Sequence, residues 1–207
     1  MLGSGWARRV GIAAVTVWLT GGGPMSAEEI RNWPCALPLA ERFVAEEVWG
    51  GPLPAPLPDG WRDNAAAQEV VAFAANPENP PAQGEARIAA FAGRLGAGRQ
   101  AALLDVFAGL LEEFNALRGY VIEGVRDFVV RAKILQEAIE KNEAALAALP
   151  ADGGPELEQQ RNGYLDARAF DARSQDDALE EAEFLCRRYA YLDQKLRRLT
   201  APLRAAL

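Results

Sequence analysis

The sequence predicts an all-α protein. Its expected form is a long antiparallel helical hairpin, with a coiled-coil arm, a small helical bundle at the base and an N-terminal Pro/Trp-rich strap. Three observations carry this. The fifty-one residues between Gly98 and Pro150 contain no proline. Their apolar positions Leu103, Phe107, Leu110, Phe114, Leu117 and Val121 recur at alternating steps of four and three, the beat of a coiled-coil seam. The turn Pro150-Ala151-Asp152-Gly153-Gly154-Pro155 then separates them from a second long helical stretch.

After Val121 one extra step of four to Val125 makes a stutter. The beat then resumes through Phe128, Ala132, Leu135, Ile139, Asn142, Leu146 and Leu149. A helix over 99–149 reaches about 75 Å, so other segments must lie along it. Its first half has a wide apolar stripe, because Leu104, Val106 and Leu111 join the seam. A wide stripe calls for more than one neighbour. Its second half is narrow and carries Glu123–Arg126, Asp127–Arg131 and Glu137–Lys141 at helical spacing. Each such pair contributes about 0.2–0.5 kcal/mol and marks a solvated face. Gly119 and Gly124 bracket the stutter. Close approach of another backbone, a bend, or a plain weak point would each account for them.

The return helix is expected over 155–200. Its clearest face is Ala178, Ala182, Leu185, Tyr189, Leu192, Leu196 and Leu199. Its middle, Asp166 to Asp177, is polar with Phe170 nearly alone. A hairpin symmetric about the turn sets Cys186 beside Arg118 and Gly119, and the polar middle beside Val125–Ala138. Pro202 is expected to end or kink this helix.

Two short helices precede the hairpin, within 64–96. Asp63 or Asn64 caps the first, Ala65 to Ala75. The break Asn76-Pro77-Glu78-Asn79-Pro80-Pro81 separates it from a second helix ending near Leu95, with Gly96 and Gly98 as its stop. Residues 28–63 form the strap. Leu39 to Val48 suggests two or three helical turns, and Gly50 to Gly60 an extended run. Trp33, Trp49 and Trp61 punctuate it. They are read as anchors pinning the strap to the helices, in preference to a ligand-binding aromatic cluster.

The start of the chain reads as a signal peptide over 1–27. Arg8 and Arg9 precede the apolar run Val10 to Leu19, which is too short to span a bilayer, and Gly21 to Pro24 breaks the helix. An uncleaved anchor is the alternative. No stable membrane insertion is expected after cleavage, and the expected location is periplasmic or secreted. Cys35 follows Asn32-Trp33-Pro34, which is no lipobox. Exactly two cysteines, Cys35 and Cys186, occur in 207 residues. In an exported chain such a pair favours a disulfide tying the strap to the return helix. Two buried thiols or an intermolecular link are the alternatives.

The formal net charge of −7 disfavours nucleic acid as a partner. Removal of Arg8 and Arg9 with a signal peptide brings it to about −9. There is no histidine. The usual general base and the commonest metal ligand are therefore absent. No phosphate loop, EF-hand, metal cluster or nucleophile elbow is present, and no cofactor is expected. The acidic runs Asp176-Asp177 and Glu180-Glu181-Glu183 are read as a solvated helix face.

The segments Trp33-Pro34-Cys35, Val48-Trp49-Gly50-Gly51-Pro52 and Phe107-Ala108-Gly109-Leu110, with the later Cys186, give the chain a resemblance. It resembles a family of uncharacterised exported proteins of proteobacteria. The resemblance implies export and adds weight to the Cys35–Cys186 bridge, and implies no activity.

The expected function is a non-enzymatic helical scaffold or accessory protein acting through protein–protein contacts. Its expected interaction surface is the arm around Val125, Val129, Val130 and Phe170, engaging a second copy or a partner helix. A holdase-type chaperone is the alternative, and a carboxylate-based enzyme under the strap ranks last, since no pair of acids is nominated.

Overall fold

The computed structural model describes residues 33–207, and residues Trp33–Leu207 form one compact unit. The expected signal peptide over 1–27 lies outside the described residues. Among the described residues five α-helices follow in order: α1 (Ala45–Trp49), α2 (Ala65–Ala75), α3 (Pro81–Gly93), α4 (Arg99–Ala148) and α5 (Pro155–Ala205). A single 3-10 turn, Trp61–Asp63, precedes α2, and no strand occurs among the described residues. The chain is an all-α helical hairpin, with α4 and α5 packed along each other.

Local chemistry sets the helix boundaries. The Asn64 side chain accepts a hydrogen bond from the Ala67 amide at 3.2 Å and starts α2. Pro81 and Pro155 occupy the first turns of α3 and α5, where a missing N–H costs nothing. Gly98 enters α4 with φ +85°, a left-handed conformation that favours glycine.

The base is a bundle. α2 packs on α4, α3 packs on α5, and the two short helices pack on each other. Leu103, Phe107, Leu110 and Phe114 of α4 are fully buried there, as are Tyr189, Leu196, Leu199 and Leu203 of α5. The continuous core runs outward along α4 as far as Val121, Ile122 and Val125. Beyond it, Ala132 and Ile139 are buried between α4 and α5 alone. The stutter therefore coincides with the end of the bundle core.

Four local expectations are corrected. The strap helix covers only Ala45–Trp49, because the backbone before it is taken by tertiary partners: Ala40 and Phe43 bond to Tyr189, Arg118 and Asn115. α5 continues through Pro202 to Ala205. Leu199 and Leu203 on either side of the proline are fully buried, which holds the last turn despite the lost backbone bond. The hairpin is not symmetric about its turn. Arg168 meets Glu143, Asn142 meets Asp171, and Gln175 meets Gln136, a displacement of about two helical turns. Finally, the pairs Glu123–Arg126, Asp127–Arg131 and Glu137–Lys141 are not at ion-pair distance among the described residues. Arg126 instead reaches Glu41 of the strap at 3.5 Å. Exposed pairs gain too little to dictate rotamers.

The two glycines at the stutter differ. A Cβ on Gly124 would lie 2.7 Å from Leu185 Cδ1, so this position admits close approach of α5, whereas Gly119 faces open space.

Candidate functional site

The strap is fastened at one end by a covalent bond. Cys35 and Cys186 form a disulfide with a Cα–Cα distance of 5.1 Å. Beside it, the Trp33 ring meets the Tyr189 ring edge-on at 5.3 Å. The buried Tyr189 hydroxyl accepts from the Ala40 amide at 2.9 Å and lies 3.1 Å from the Pro38 carbonyl.

Arg118 reaches the same point from α4. Its guanidinium carbon lies 4.1 Å from the Phe43 ring centroid and 4.2 Å from that of Tyr189. Nε donates to the Ala40 carbonyl at 2.6 Å, and Nη2 donates to the Tyr189 hydroxyl. The residue is 4% exposed. Among the described residues no carboxylate lies within ion-pair distance of it, and Nη1, which has no protein acceptor, is open to solvent. Ring faces and carbonyl oxygens stabilise the buried cation in place of a counter-ion.

The other two tryptophans anchor elsewhere. Trp49 packs on Phe107 with ring centroids 4.9 Å apart. Trp61 is buried over Gly109, where a Cβ would come within 2.8 Å of its Cε3. Its indole nitrogen donates to Glu112 at 2.8 Å. Arg62 covers the ring at 4.5 Å and grips the same carboxylate at 2.7 and 2.8 Å. The Arg62 hydrogen bonds, and then that of Trp61, hold the Glu112 carboxyl below the usual range. Trp33, Trp49 and Trp61 thus rest on Tyr189, Phe107 and Gly109 respectively, at separate points along the bundle.

Lys195 is a second buried cation. Its ammonium donates to the carbonyls of Asn76 at 2.7 Å and Asn79 at 2.9 Å. Asn76 is the C-cap of α2, so the charge sits at the negative end of that helix. Burial pushes the Lys195 ammonium below its ordinary value, and Arg188 adds to the shift.

The arm presents the remaining surface. Val125 was expected there, but it is fully buried and belongs to the core, because the stutter turns it toward the bundle. Val129 is half-buried against the same core. Val130 and Phe170 are exposed, at 57% and 64%. Ile134, one turn beyond Val130, is 60% exposed, and Leu165, Leu179 and Phe184 add to the apolar surface of α5. The seam between the arm helices is largely polar on the α5 side. The Asn142 amide donates to Asp171 at 3.1 Å, Arg168 bonds Glu143 at 2.7 Å, and Gln175 bonds Gln136 at 2.9 Å. Such a polar seam fixes register at some cost in stability.

No family model, curated protein or solved structure matches the chain. What the chain can do therefore rests on its own chemistry. Among the described residues no cluster of His, Cys, Asp or Glu could hold a metal ion, and no helix is long and apolar enough to cross a membrane. Among the described residues, three concave regions flank the strap. One of about 450 Å³ runs between Glu41 and Gly119, and one of about 460 Å³ lies beside Trp61 and Pro77. The third, about 340 Å³, lies under Leu37, Pro38 and Val44 and has Arg118 in its wall.

Arg118 and Lys195 escaped the reading of the sequence as functional or structural anchors. The available signal was their position. Arg118 stands between Leu117 and Val121, and Lys195 directly precedes Leu196, each at the edge of a stripe already marked as buried.

Proposed function

We propose that the protein is an exported, non-enzymatic helical scaffold that binds a protein partner, or a second copy of itself, through the outer face of its arm. The observation that carries this reading is the exposed pair Val130 and Ile134, four residues apart on one face of α4. The polar seam behind it gives the arm a defined register on which such a face can be presented. The disulfide supports an oxidising compartment, and the resemblance to exported proteobacterial proteins points to the periplasm.

Photo-crosslinking tests this reading. A crosslinker at Val130 should yield a discrete adduct in envelope extract or with purified protein, and one at Lys133 should not. Light scattering distinguishes a second copy from another partner. A strict monomer without a position-specific adduct overturns the proposal. Suppression of client aggregation, insensitive to Val130→Lys and Ile134→Lys, would instead favour a holdase.

A further inference from the structure

We propose that the 340 Å³ cavity under the strap is a binding site for a monocarboxylate carrying a short apolar body, with Arg118 as the group that recognises the carboxylate. This inference does not depend on the arm.

Asp193 and Arg197 in the cavity wall neutralise each other, since Arg197 Nε donates to Asp193 at 2.9 Å. Glu47, also in the cavity wall, acts electrostatically on Arg197 as well. Arg118 and Arg42 remain as the cations of the wall. Arg118 is the buried one, held by ring faces and carbonyl oxygens with no carboxylate at ion-pair distance among the described residues.

Geometry sharpens this. The Phe43 and Tyr189 rings and the bonds to Ala40 and Tyr189 fix the guanidinium. Its orientation is therefore set before any ligand arrives, and Nη1, bonded to no protein group, is open to solvent and to an incoming acceptor. Carboxylate is the anion whose planar, paired oxygens suit a guanidinium edge. Pre-organisation removes much of the ordering cost of binding.

The rest of the wall selects the body of the ligand. Val48 and Phe43 are buried, while Leu37 is 39% and Val44 48% exposed. Together they offer an apolar surface leading to the charge. Arg42, Glu47, Asp193 and Arg197 line the remainder of the wall beside Arg118, so the apolar patch and the Arg118 guanidinium together suit a small amphipathic ligand whose charged end meets Arg118. Free short-chain carboxylates and the C-terminus of a peptide ending in an apolar residue share this chemistry.

The test is calorimetry on the oxidised, full chain with hexanoate, hexan-1-ol and acetate. Hexanoate is expected to bind saturably with a Kd of about 1 mM or tighter. Hexan-1-ol, which lacks the charge, and acetate, which lacks the body, should bind at least about tenfold more weakly. Arg118→Gln should abolish hexanoate binding. Val44→Glu, an exposed position at the mouth, keeps the core intact and should weaken it by about tenfold. Equal binding of hexanoate and hexan-1-ol, no saturation by hexanoate, or indifference to Val44→Glu overturns the proposal. A Leu-terminated tetrapeptide with a free C-terminus, compared with its amide, separates the sources. Tighter binding of the free acid than of hexanoate identifies a polypeptide end, and the reverse identifies a free carboxylate.

Discussion

The Tyr189 hydroxyl on α5 accepts a hydrogen bond from the Ala40 amide of the strap at 2.9 Å, across 149 residues of sequence. That oxygen also receives Arg118 from α4. One phenol thus joins the strap to both long helices, next to the disulfide. Tyr189→Phe keeps the ring and its packing on Trp33, but leaves the Ala40 amide and one Arg118 donor unsatisfied. The expected loss in urea unfolding is about 1–3 kcal/mol. Tyr120→Phe, at a 75% exposed position, should stay within about 0.5 kcal/mol of the parent.

The glycines of α4 should respond in opposite directions to alanine. At Gly119 a methyl group meets nothing, so Gly119→Ala should stabilise by about 0.5–1 kcal/mol through helix propensity. At Gly109 it would meet Val71 and Trp61 at 2.7 and 2.8 Å. Overpacking there should outweigh propensity and destabilise by about 1–3 kcal/mol. Chemical denaturation of the two variants reads the contrast directly.

The disulfide closes a loop with a sequence separation of 151. Chain entropy assigns such a crosslink about 5 kcal/mol as an upper figure. Replacing both cysteines with Ser should lower the unfolding midpoint while leaving helical circular dichroism largely intact, since the strap adds few helical residues. Non-reducing peptide mass spectrometry should find Cys35 joined to Cys186. Free thiols in protein purified from an oxidising compartment would contradict the bridge.

Lys195 should leave a signature at alkaline pH. Its folded pKa is lowered by burial. Below that value the side chain is charged in both states, and above the ordinary lysine value it is neutral in both. Between the two, the unfolded chain binds more protons, so the contribution of Lys195 to stability rises with pH. Subtracting the stability profile of Lys195→Met from that of the parent should reveal this rise. A flat difference across the alkaline window would show that the ammonium is not shifted in the folded protein.

The helices were legible because their cause is local. Asn64 caps α2 where capping chemistry placed it, and Pro81 and Pro155 open their helices. The seam from Leu103 to Leu149 and the α5 face from Ala178 to Leu199 are buried or half-buried throughout. The cysteine pair followed from count and context. The strap was harder to read, because Leu39–Val48 has helical character in isolation. Only the competing bonds from Tyr189, Arg118 and Asn115 explain why its first part stays extended.

Periodicity therefore determined the fold class and the buried faces, since a repeat in apolar side chains requires a partner surface whatever that partner is. Tertiary structure decided the hairpin register, the inward turn of Val125 at the stutter, and the burial of Arg118 and Lys195. Those features depend on which distant atoms cover a given side chain. A lone arginine in a helix is a surface residue by default, and Arg118 departs from that default because Phe43, Ala40 and Tyr189 converge on it from two other parts of the chain.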